Sequence, residues 1–460
     1  MIYLYLIMEL KRYKTDFTSG KVFKQLLIFA TPLFFSNLLQ IIYNIADMII
    51  VGQSMGKVGL SAVSIGGDIT HFLTFVAMGF SNAGQVLISQ YLGARKQNKL
   101  SRFVATMFSF LFVSSIVISV LCFYLRVPFL HLMNTPEEAF EQALAYSTIS
   151  IIGLMFIYGY NTASAVLRGM GDSIRPFIFV AISASLNILL DLILVLGLKK
   201  GAAGAALATV ISQAVSFIFC IWYIYEHRKD YGLRISQLHF IKWDPKMLMQ
   251  LIKLGVPMAI KNASIHLSKL CVNSWINSYG VAVSAFSGVA NKINSTTNLI
   301  SNAFNTAGAS MVGQNLGAKK YSRVKEIMIA IFKITSSVAV VFSILMLLFP
   351  TEIYKCFTED KDVITVGMTF IPIAILIFWG SAARSGMNAF INGSGNYGVN
   401  FVTALLDGII LRIGLSFLFG LSMKMGYFGF WLGDALAGFT PLFIGLVFYM
   451  SGRWKKQNIV

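Results

Sequence analysis

The sequence predicts an all-α membrane protein with twelve transmembrane helices in two six-helix lobes, related by a parallel internal repeat about a pseudo-two-fold axis along the membrane normal. The first observation is composition: of 460 residues, 56% are hydrophobic and 12% are charged, whereas about a quarter of a soluble protein is charged. The second is that the apolar residues form continuous runs, which favours helices over the period-two alternation of a membrane barrel. The third is the repeat itself.

Twelve apolar stretches are long enough to cross a bilayer, since one transmembrane helix needs roughly 20 apolar residues. The stretches longer than one crossing are expected to tilt or protrude. The predicted spans are 24–50, 57–91, 103–125, 139–167, 174–197, 201–226, 247–278, 282–315, 325–349, 363–391, 397–420 and 426–451.

Four segments of the first half match segments of the second half at an offset of 224 or 225 residues. The matches are QLLIFATP (25–32) with QLIKLGVP (250–257), SQYLGARK (89–96) with GQNLGAKK (313–320), LRGMGD (167–172) with INGSGN (391–396), and KGAAGAAL (200–207) with MGYFGFWL (425–432). Six spans per half give both halves the same orientation, which makes the repeat parallel. The predicted domains are an N-terminal lobe at 1–226, a cytoplasmic linker at 227–245 and a C-terminal lobe at 246–460.

The net charge of +18 is interpreted as a topology signal and not as a nucleic-acid surface. Of the 37 Lys and Arg residues, seven lie inside spans, seven lie in loops on one side, and the other 23 lie on the opposite side. The seven loop residues on the poorer side are Lys57, Arg126, Lys199, Lys200, Lys355, Lys361 and Lys424. Because the richer side is cytoplasmic, both termini are predicted in the cytoplasm, with the protein in the cell (inner or cytoplasmic) membrane.

Polar side chains recur at helical spacing within several spans and predict a wetted central cleft. The residues predicted to line it are Asn37, Gln40, Asn44, Asn262, His266, Lys269, Asn291, Asn298, Asn302 and Arg384. The alternative is that these groups form hydrogen bonds between helices, each worth about 0.6 kcal/mol on average.

Two carboxylates, Asp47 and Asp191, lie late in outward-running spans and are predicted to share one depth in the N-terminal lobe. Asn187 precedes Asp191 by one helical turn. A charge at the centre of a membrane helix costs about 2.5 kcal/mol or more, so such a pair is expected to take up a proton or bind a cation. Asp407 and Arg412, five residues apart, are expected to compensate each other.

Several classes of enzyme are excluded by the motifs. GQSMGKVG (52–59) has Val58 where a Walker A motif has Ser or Thr, and the sequence has no H-E-x-x-H, nucleophile-elbow or dinucleotide motif. The four cysteines are dispersed without a C-x-x-C pair and are interpreted as free thiols. No catalytic residue, metal or cofactor is therefore predicted, apart from a coupling ion, H⁺ or Na⁺.

The sequence resembles the MATE family of multidrug and toxic compound extrusion transporters over nearly its whole length. The resemblance is carried by the twelve spans in two repeats, P-x14-D from Pro32 to Asp47, SQYLGAR (89–95), LRGMGDSIRP (167–176), N-x3-D at Asn187 and Asp191, and GRWKK (452–456). It implies a monomeric secondary transporter in membrane lipid that exports organic cations or amphipathic small molecules against H⁺ or Na⁺ by alternating access. Small molecules, and no nucleic acid, are the expected partners.

The DinF-like branch of the family implies a cation site in the N-terminal lobe, and the NorM-like branch a second set of carboxylates in the C-terminal lobe. The implied N-terminal residues are Asp47, Asn161, Asn187, Asp191 and Thr209, with Pro32 as the residue around which the first helix bends. The C-terminal carboxylates are missing here. In their place the sequence has Lys261, His266, Lys269 and Arg384, which makes the DinF-like branch the better match.

Two other functions stay open at the level of the sequence. The basic C-terminal residues suit a flippase for a lipid-linked saccharide or an exporter of an anionic or zwitterionic metabolite. A channel or scaffold is the third possibility, although a scaffold needs no carboxylate pair. The sequence does not separate H⁺ from Na⁺ coupling.

Overall fold

The computed structural model describes residues 15–234 and 243–456, and over these residues it is helical, with no strand. The α-helices are α1 Val22–Gly93, α2 Gln97–Leu132, α3 Glu137–Ile152, α4 Leu154–Gly169, α5 Ile174–Asp191, α6 Gly201–Glu226, α7 Pro245–Asn277, α8 Val281–Gly317, α9 Tyr321–Leu348, α10 Pro350–Lys355, α11 Lys361–Ser394, α12 Tyr397–Leu405, α13 Leu411–Phe417, α14 Gly426–Ala437 and α15 Thr440–Met450. Three π-helical segments, Leu192–Gly197, Leu406–Ile410 and Leu418–Ser422, extend α5, join α12 to α13 and extend α13.

The predicted twelve transmembrane helices in two six-helix lobes are confirmed. Within the described residues, eight helical segments are long and apolar enough to cross a membrane, and α3 with α4 form a ninth span that bends by 48°. The first of the eight, α1, is two spans, because Gly56 has non-helical angles (φ 59°, ψ −146°). The remaining two spans, α7 and α8, carry too many polar residues to pass the same test.

The first helix continues through Pro32, which was predicted to bend it. Pro32 lies inside α1, and the hydroxyl of Ser36 donates to the Pro32 carbonyl at 2.8 Å. Proline has no backbone N–H to donate to the preceding turn. A bending role for Pro32 therefore stays a prediction.

The internal repeat is visible in the backbone as well as in the sequence. Residues with positive φ occur in pairs separated by 224 or 225 positions: Gly56 and Gly280, Arg95 and Lys319, Gly171 and Gly395, Lys199 and Lys424, and Gly201 and Gly426. A positive φ is rare outside glycine, so five such pairs mean that the chain turns in the same way at the same place in each half. The parallel repeat is therefore a property of the fold.

Contacts divide the described chain into two compact units. One unit contains Thr31–Gly255, and the other contains Phe17–Ala30 together with Val256–Val460. In the second unit, the Phe17 carbonyl accepts hydrogen bonds from Asn315 Nδ2 at 3.0 Å and Arg323 Nη2 at 2.9 Å. The first turns of α1 thus belong with the C-terminal helices. The predicted domain boundaries stay predictions, and residues 235–242 of the predicted linker lie outside the described residues.

An aromatic cluster fixes the helices around the C-terminal polar residues. The Phe370 ring lies 5.4 Å from that of Phe286 and 5.1 Å from that of Trp431, both edge-on. Each such pair adds about 0.5–1.5 kcal/mol to the burial of the rings. The cluster holds α8, α11 and α14 against one another and so positions the side chains next to it.

Candidate functional site

The two N-terminal carboxylates, Asp47 and Asp191, are both buried. Asp191 is the last residue of α5 and is 0% exposed, while Asp47 on α1 is 8% exposed. The two carboxylates are close enough to interact electrostatically. The π-helical segment Leu192–Gly197 follows Asp191 directly, and such segments are frequent at functional sites.

Few hydrogen-bond donors reach these carboxylates. Among the described residues, neither carboxylate oxygen of Asp191 accepts a hydrogen bond, and neither does Asp47 Oδ1 or Asn187 Oδ1. A buried ionised carboxylate without donors or a counter-charge costs several kcal/mol. Carboxylate and amide oxygens are also the ligands that hard cations prefer. The arrangement can therefore hold a proton or a small cation.

The other predicted site residues are distributed around this pair. Asn187 Nδ2 donates to Thr209 Oγ1 at 3.4 Å, which links α5 to α6. Asn161 Nδ2 donates to the Ile157 carbonyl of its own helix at 2.8 Å. The structure thus places Asp47 within electrostatic range of Asp191 and joins Asn187 to Thr209, and no described hydrogen bond joins Asn161 to either pair. The role of all five as a coupling site stays a prediction.

Two tyrosines next to the carboxylates were missed in the sequence. Tyr43 lies one helical turn before Asp47 and interacts electrostatically with it. Tyr146 on α3 interacts electrostatically with Tyr43, Asp47 and Asp191. The spacing of four between Tyr43 and Asp47 was a usable signal. Nothing in the sequence indicated Tyr146, because its neighbours are distant along the chain.

The C-terminal lobe contains a closed ionic network at Arg412. This side chain is 2% exposed, and its Nη2 lies 3.0 Å from Asp407 Oδ1. Its Nη1 donates to Asp434 Oδ1. The predicted compensation of Asp407 by Arg412 is confirmed, whereas the second partner, Asp434, comes from the following helix and was not predicted.

Three further cations of this lobe form no ion pair with a carboxylate among the described residues. Lys261 Nζ donates to Asn388 Oδ1 at 2.6 Å, and Arg384 Nη2 donates to Asn298 Oδ1. Within the described part of the chain, no carboxylate oxygen lies within 4.0 Å of Lys261, Lys269 or Arg384. The C-terminal lobe therefore carries more buried positive charge than its carboxylates neutralise.

Two small adjoining cavities, each of about 20 Å³, lie among these groups. Lys269, Asn294, Ile377 and Asp434 line both. The first cavity is also lined by Phe370 and Trp431, and the second by Arg384 and Arg412. We call this pair of cavities, with these lining residues, the C-terminal cavity.

The residues predicted to line a central cleft differ in exposure. Gln40, Asn44, His266 and Asn302 are exposed, and the others are half-buried: Asn37, Asn262, Lys269, Asn291, Asn298 and Arg384. Lys269, Asn291 and Arg384 line the C-terminal cavity. A cleft that unites all ten residues stays a prediction.

The family model MatE matches this chain twice, at residues 32–193 and 257–418. The two matches are 225 positions apart, as the internal repeat requires. Together they cover more than half of the chain.

Relatives and solved structures match the chain over almost its full length. It is 27% identical to the probable multidrug resistance protein YpnP of Bacillus subtilis, over 96% of this chain and 98% of that protein. It is 24% identical to the multidrug export protein MepA of Staphylococcus haemolyticus, over 93% and 94%. Among solved structures, a MOP superfamily transporter from Pyrococcus furiosus superposes with a TM-score of 0.87 at 20% identity, over 96% and 98%; its binding pocket is described as having reverse polarity, suggesting a different function.

Proposed function

Because this chain belongs to the MatE family of multidrug efflux transporters, we propose that it exports organic cations or amphipathic small molecules in exchange for H⁺ or Na⁺. It is a multi-pass membrane protein with relatives named multidrug resistance and multidrug export proteins. The proposal adds the coupling ion, the residues that bind it and the class of substrate.

One observation carries the choice of the coupling site. Asp191 is fully buried, no described residue donates to either of its carboxylate oxygens, and Asp47 adds a second negative charge nearby. A proton or Na⁺ at this place offsets the repulsion and the cost of burial. Asn187 Oδ1, which also lacks a donor among the described residues, supplies a further ligand oxygen.

The proposed cycle follows from the differential affinity of two conformations for ion and substrate. In the outward-open state, H⁺ or Na⁺ binds at Asp47 and Asp191. Neutralisation of the pair lets α1 repack near Pro32 and releases the substrate. The lobes then rock inward, the ion leaves to the cytoplasm, and a new substrate enters from the cytoplasm or the inner leaflet.

We place both termini on the cytoplasmic side. The excess of Lys and Arg in one set of loops, 23 against 7, supports this orientation. A fluorescent reporter fused after Val460 tests it, because such a reporter matures in the cytoplasm. An absence of fluorescence at normal expression would reverse the orientation.

The test of the coupled function is ethidium transport in proteoliposomes under an imposed pH gradient and, separately, an imposed Na⁺ gradient. Wild-type protein is expected to transport under one of the two gradients, which identifies the ion. Asp191→Asn is expected to reduce transport to the rate of protein-free liposomes, because a neutral side chain cannot exchange the ion.

The matched control is Asp68→Asn, which removes an exposed carboxylate of the same lobe and is expected to transport like wild type. Full transport by Asp191→Asn would overturn the proposed coupling site. Ethidium transport with neither gradient imposed would overturn ion coupling itself.

A further inference from the structure

We propose that the C-terminal cavity binds the anionic group, a carboxylate or phosphate, of an amphipathic substrate between Lys269 and Arg384. The inference rests on the proposed export function and deepens it, because it assigns zwitterionic or anionic amphipathic molecules as the substrates that this lobe recognises. It is independent of the coupling ion, which the N-terminal carboxylates bind.

The first argument is charge. Four buried or half-buried cations, Lys261, Lys269, Arg384 and Arg412, surround two carboxylates, Asp407 and Asp434. Arg412 contacts both carboxylates, and among the described residues the other three cations have no carboxylate within ion-pair distance. Desolvated cations are stabilised by an anion that enters with good hydrogen-bond geometry.

The second argument is that three polar side chains lining the cavity, Lys269, Arg384 and Arg412, are donors only, against one carboxylate, that of Asp434. Asn294 lines both cavities, and its Oδ1 accepts a hydrogen bond from Asn298 Nδ2 at 2.8 Å. The Nδ2 hydrogens of Asn294 therefore remain as donors next to Lys269 and Arg384. Asp434 is the one carboxylate in the lining, and its Oδ1 already accepts from Arg412. A site with more cationic donors than carboxylates favours an anion.

The third argument is size and shape. A cavity of about 20 Å³ is close to the space that one water-sized group needs, so one oxygen of the ligand's anionic group enters and the rest of the ligand stays at the mouth. Phe370, Trp431, Val272 and Ile276 line the same cavity and offer an apolar and aromatic surface to that body. An aromatic carboxylate has the required combination of a small anionic group and a flat apolar body.

The experiment measures binding to the purified full-length protein in detergent, without any ion gradient, through quenching of tryptophan fluorescence. The probe is 4-nitrobenzoate, and its neutral analogue 4-nitrobenzamide is the matched control ligand. We expect the anion to bind about tenfold or more tightly than the amide, because hydrogen bonds to charged groups exceed neutral ones by that order. Trp431→Phe is expected to remove most of the specific quenching.

Variants of the two proposed cationic residues test which side chains bind the anion. Lys269→Gln and Arg384→Gln are each expected to weaken 4-nitrobenzoate binding about tenfold with little effect on the amide. Arg384→Lys should retain more affinity than Arg384→Gln. Lys333→Gln changes an exposed lysine of the same lobe that lines neither cavity and should bind like wild type. Thermal unfolding of each variant checks that it is folded, and Arg384→Lys keeps the test decisive if Arg384→Gln is not.

Equal affinity for the anion and the amide, or unchanged binding in folded Lys269→Gln, would overturn the proposal. Acetate and inorganic phosphate distinguish a substrate site from a site for free anions. If acetate or inorganic phosphate binds with the same affinity as 4-nitrobenzoate, the site recognises free anions and the assignment to an amphipathic substrate is wrong. If ethidium transport fails while 4-nitrobenzoate binds selectively, the anion site stands and the organic-cation part of the proposed function falls.

Discussion

The two halves of the molecule place different chemistry at one position of the repeat. In the N-terminal half, Asn187 on α5 donates to Thr209 on α6, 22 residues later, over a distance of 3.4 Å. In the C-terminal half, Arg412 donates to Asp434, also 22 residues later. The two pairs are 225 residues apart, which is the offset of the family matches. A long, neutral hydrogen bond in the N-terminal half thus corresponds to an ion pair in the C-terminal half.

The residue one helical turn after Asn187 also differs in charge from its counterpart one turn after Arg412. Asp191 lies one turn after Asn187 and has no hydrogen-bond donor among the described residues. Its counterpart at the same offset is Ser416, a neutral residue whose hydroxyl donates to the Phe430 carbonyl at 3.2 Å. The N-terminal helix pair thus leaves a carboxylate without a donor among the described residues, whereas in the C-terminal half Arg412 contacts the two carboxylates Asp407 and Asp434. The comparison teaches that the repeat keeps the position of a polar contact between helices, while the residue types at that position decide whether the contact is a neutral hydrogen bond or an ion pair.

The largest expected effect is on stability in the C-terminal half. Arg412→Met leaves Asp407 and Asp434 buried without their cation, which is expected to cost about 3–5 kcal/mol of unfolding free energy. Chemical denaturation in mixed micelles measures it, with Lys333→Met as the control for loss of a lysine charge in the same lobe. A loss of unfolding free energy below about 1 kcal/mol would mean that the ion pairs of Arg412 with Asp407 and Asp434 do not stabilise the folded lobe.

The next largest effect is the difference in stability between two Asp→Asn variants, one in each half of the molecule. Asp434→Asn weakens a charged hydrogen bond and is expected to cost about 1.5–3 kcal/mol. Asp191→Asn removes an uncompensated buried charge and is expected to leave stability unchanged or to raise it. The same denaturation experiment measures both variants. Equal destabilisation by the two would abolish the contrast between the halves.

A smaller effect concerns the loop before α5. The Tyr231 hydroxyl donates to Asp172 Oδ2 at 2.7 Å, and Arg175 lies 3.5 Å from the same oxygen. Burial raises the pKa of Asp172 above its ordinary value of 3.8, although Arg175 and Tyr231 oppose the rise. An acid with a raised pKa in the folded protein contributes stability below its ordinary value, and this contribution is lost as the pH rises through the raised one.

Asp172→Asn is therefore expected to remove this decrease of stability with rising pH, at a cost of about 1 kcal/mol for the weakened polar contacts. The measurement is the thermal midpoint from about pH 4 to about pH 8. The repeat supplies the matched control: Asn396, the counterpart of Asp172, accepts from the Val399 amide at 2.9 Å at the start of α12. Asn396→Asp should become more stable with rising pH, because a carboxylate is favoured at a helix N-terminus. If the thermal midpoints of Asp172→Asn and Asn396→Asp changed with pH in the same way, Asp172 would not be the source of the pH dependence.

The smallest effect is expected for Thr209→Val. This substitution keeps the shape of the side chain and removes one hydrogen bond of 3.4 Å, so about 0.5 kcal/mol of unfolding free energy should be lost. Ser212→Ala, on the same helix, removes a hydroxyl that donates to the Thr209 carbonyl and serves as the control. A loss above about 2 kcal/mol would make the Asn187–Thr209 contact a structural element like its C-terminal counterpart.

Much of the fold was predictable because a membrane-spanning helix needs a long, continuous apolar segment, which can be recognised in the sequence. The spans at α7 and α8 were found as well, because these stretches are long enough to cross a bilayer although their polar side chains lower their hydropathy. The pair Asp407 and Arg412 was anticipated from the sequence, but a spacing of five does not bring two side chains together on a regular α-helix. They meet here because the π-helical segment Leu406–Ile410 widens the turn between them. Asp434 and Tyr146 were not assigned as partners, because each contacts residues of another helix, and spacing along one helix does not indicate such contacts.

By itself the sequence determined the membrane setting, the number of spans, the parallel repeat and the unusual carboxylates at Asp47 and Asp191. These follow from local composition and periodicity, which the lipid environment constrains strongly. Only the tertiary structure decided which polar groups satisfy one another: Arg412 is shared by two carboxylates, Asp191 receives no donor among the described residues, and Lys269 with Arg384 lines a cavity. The physical reason is that hydrogen bonds and ion pairs act over a few ångströms, and the packing of helices from distant parts of the chain sets those distances.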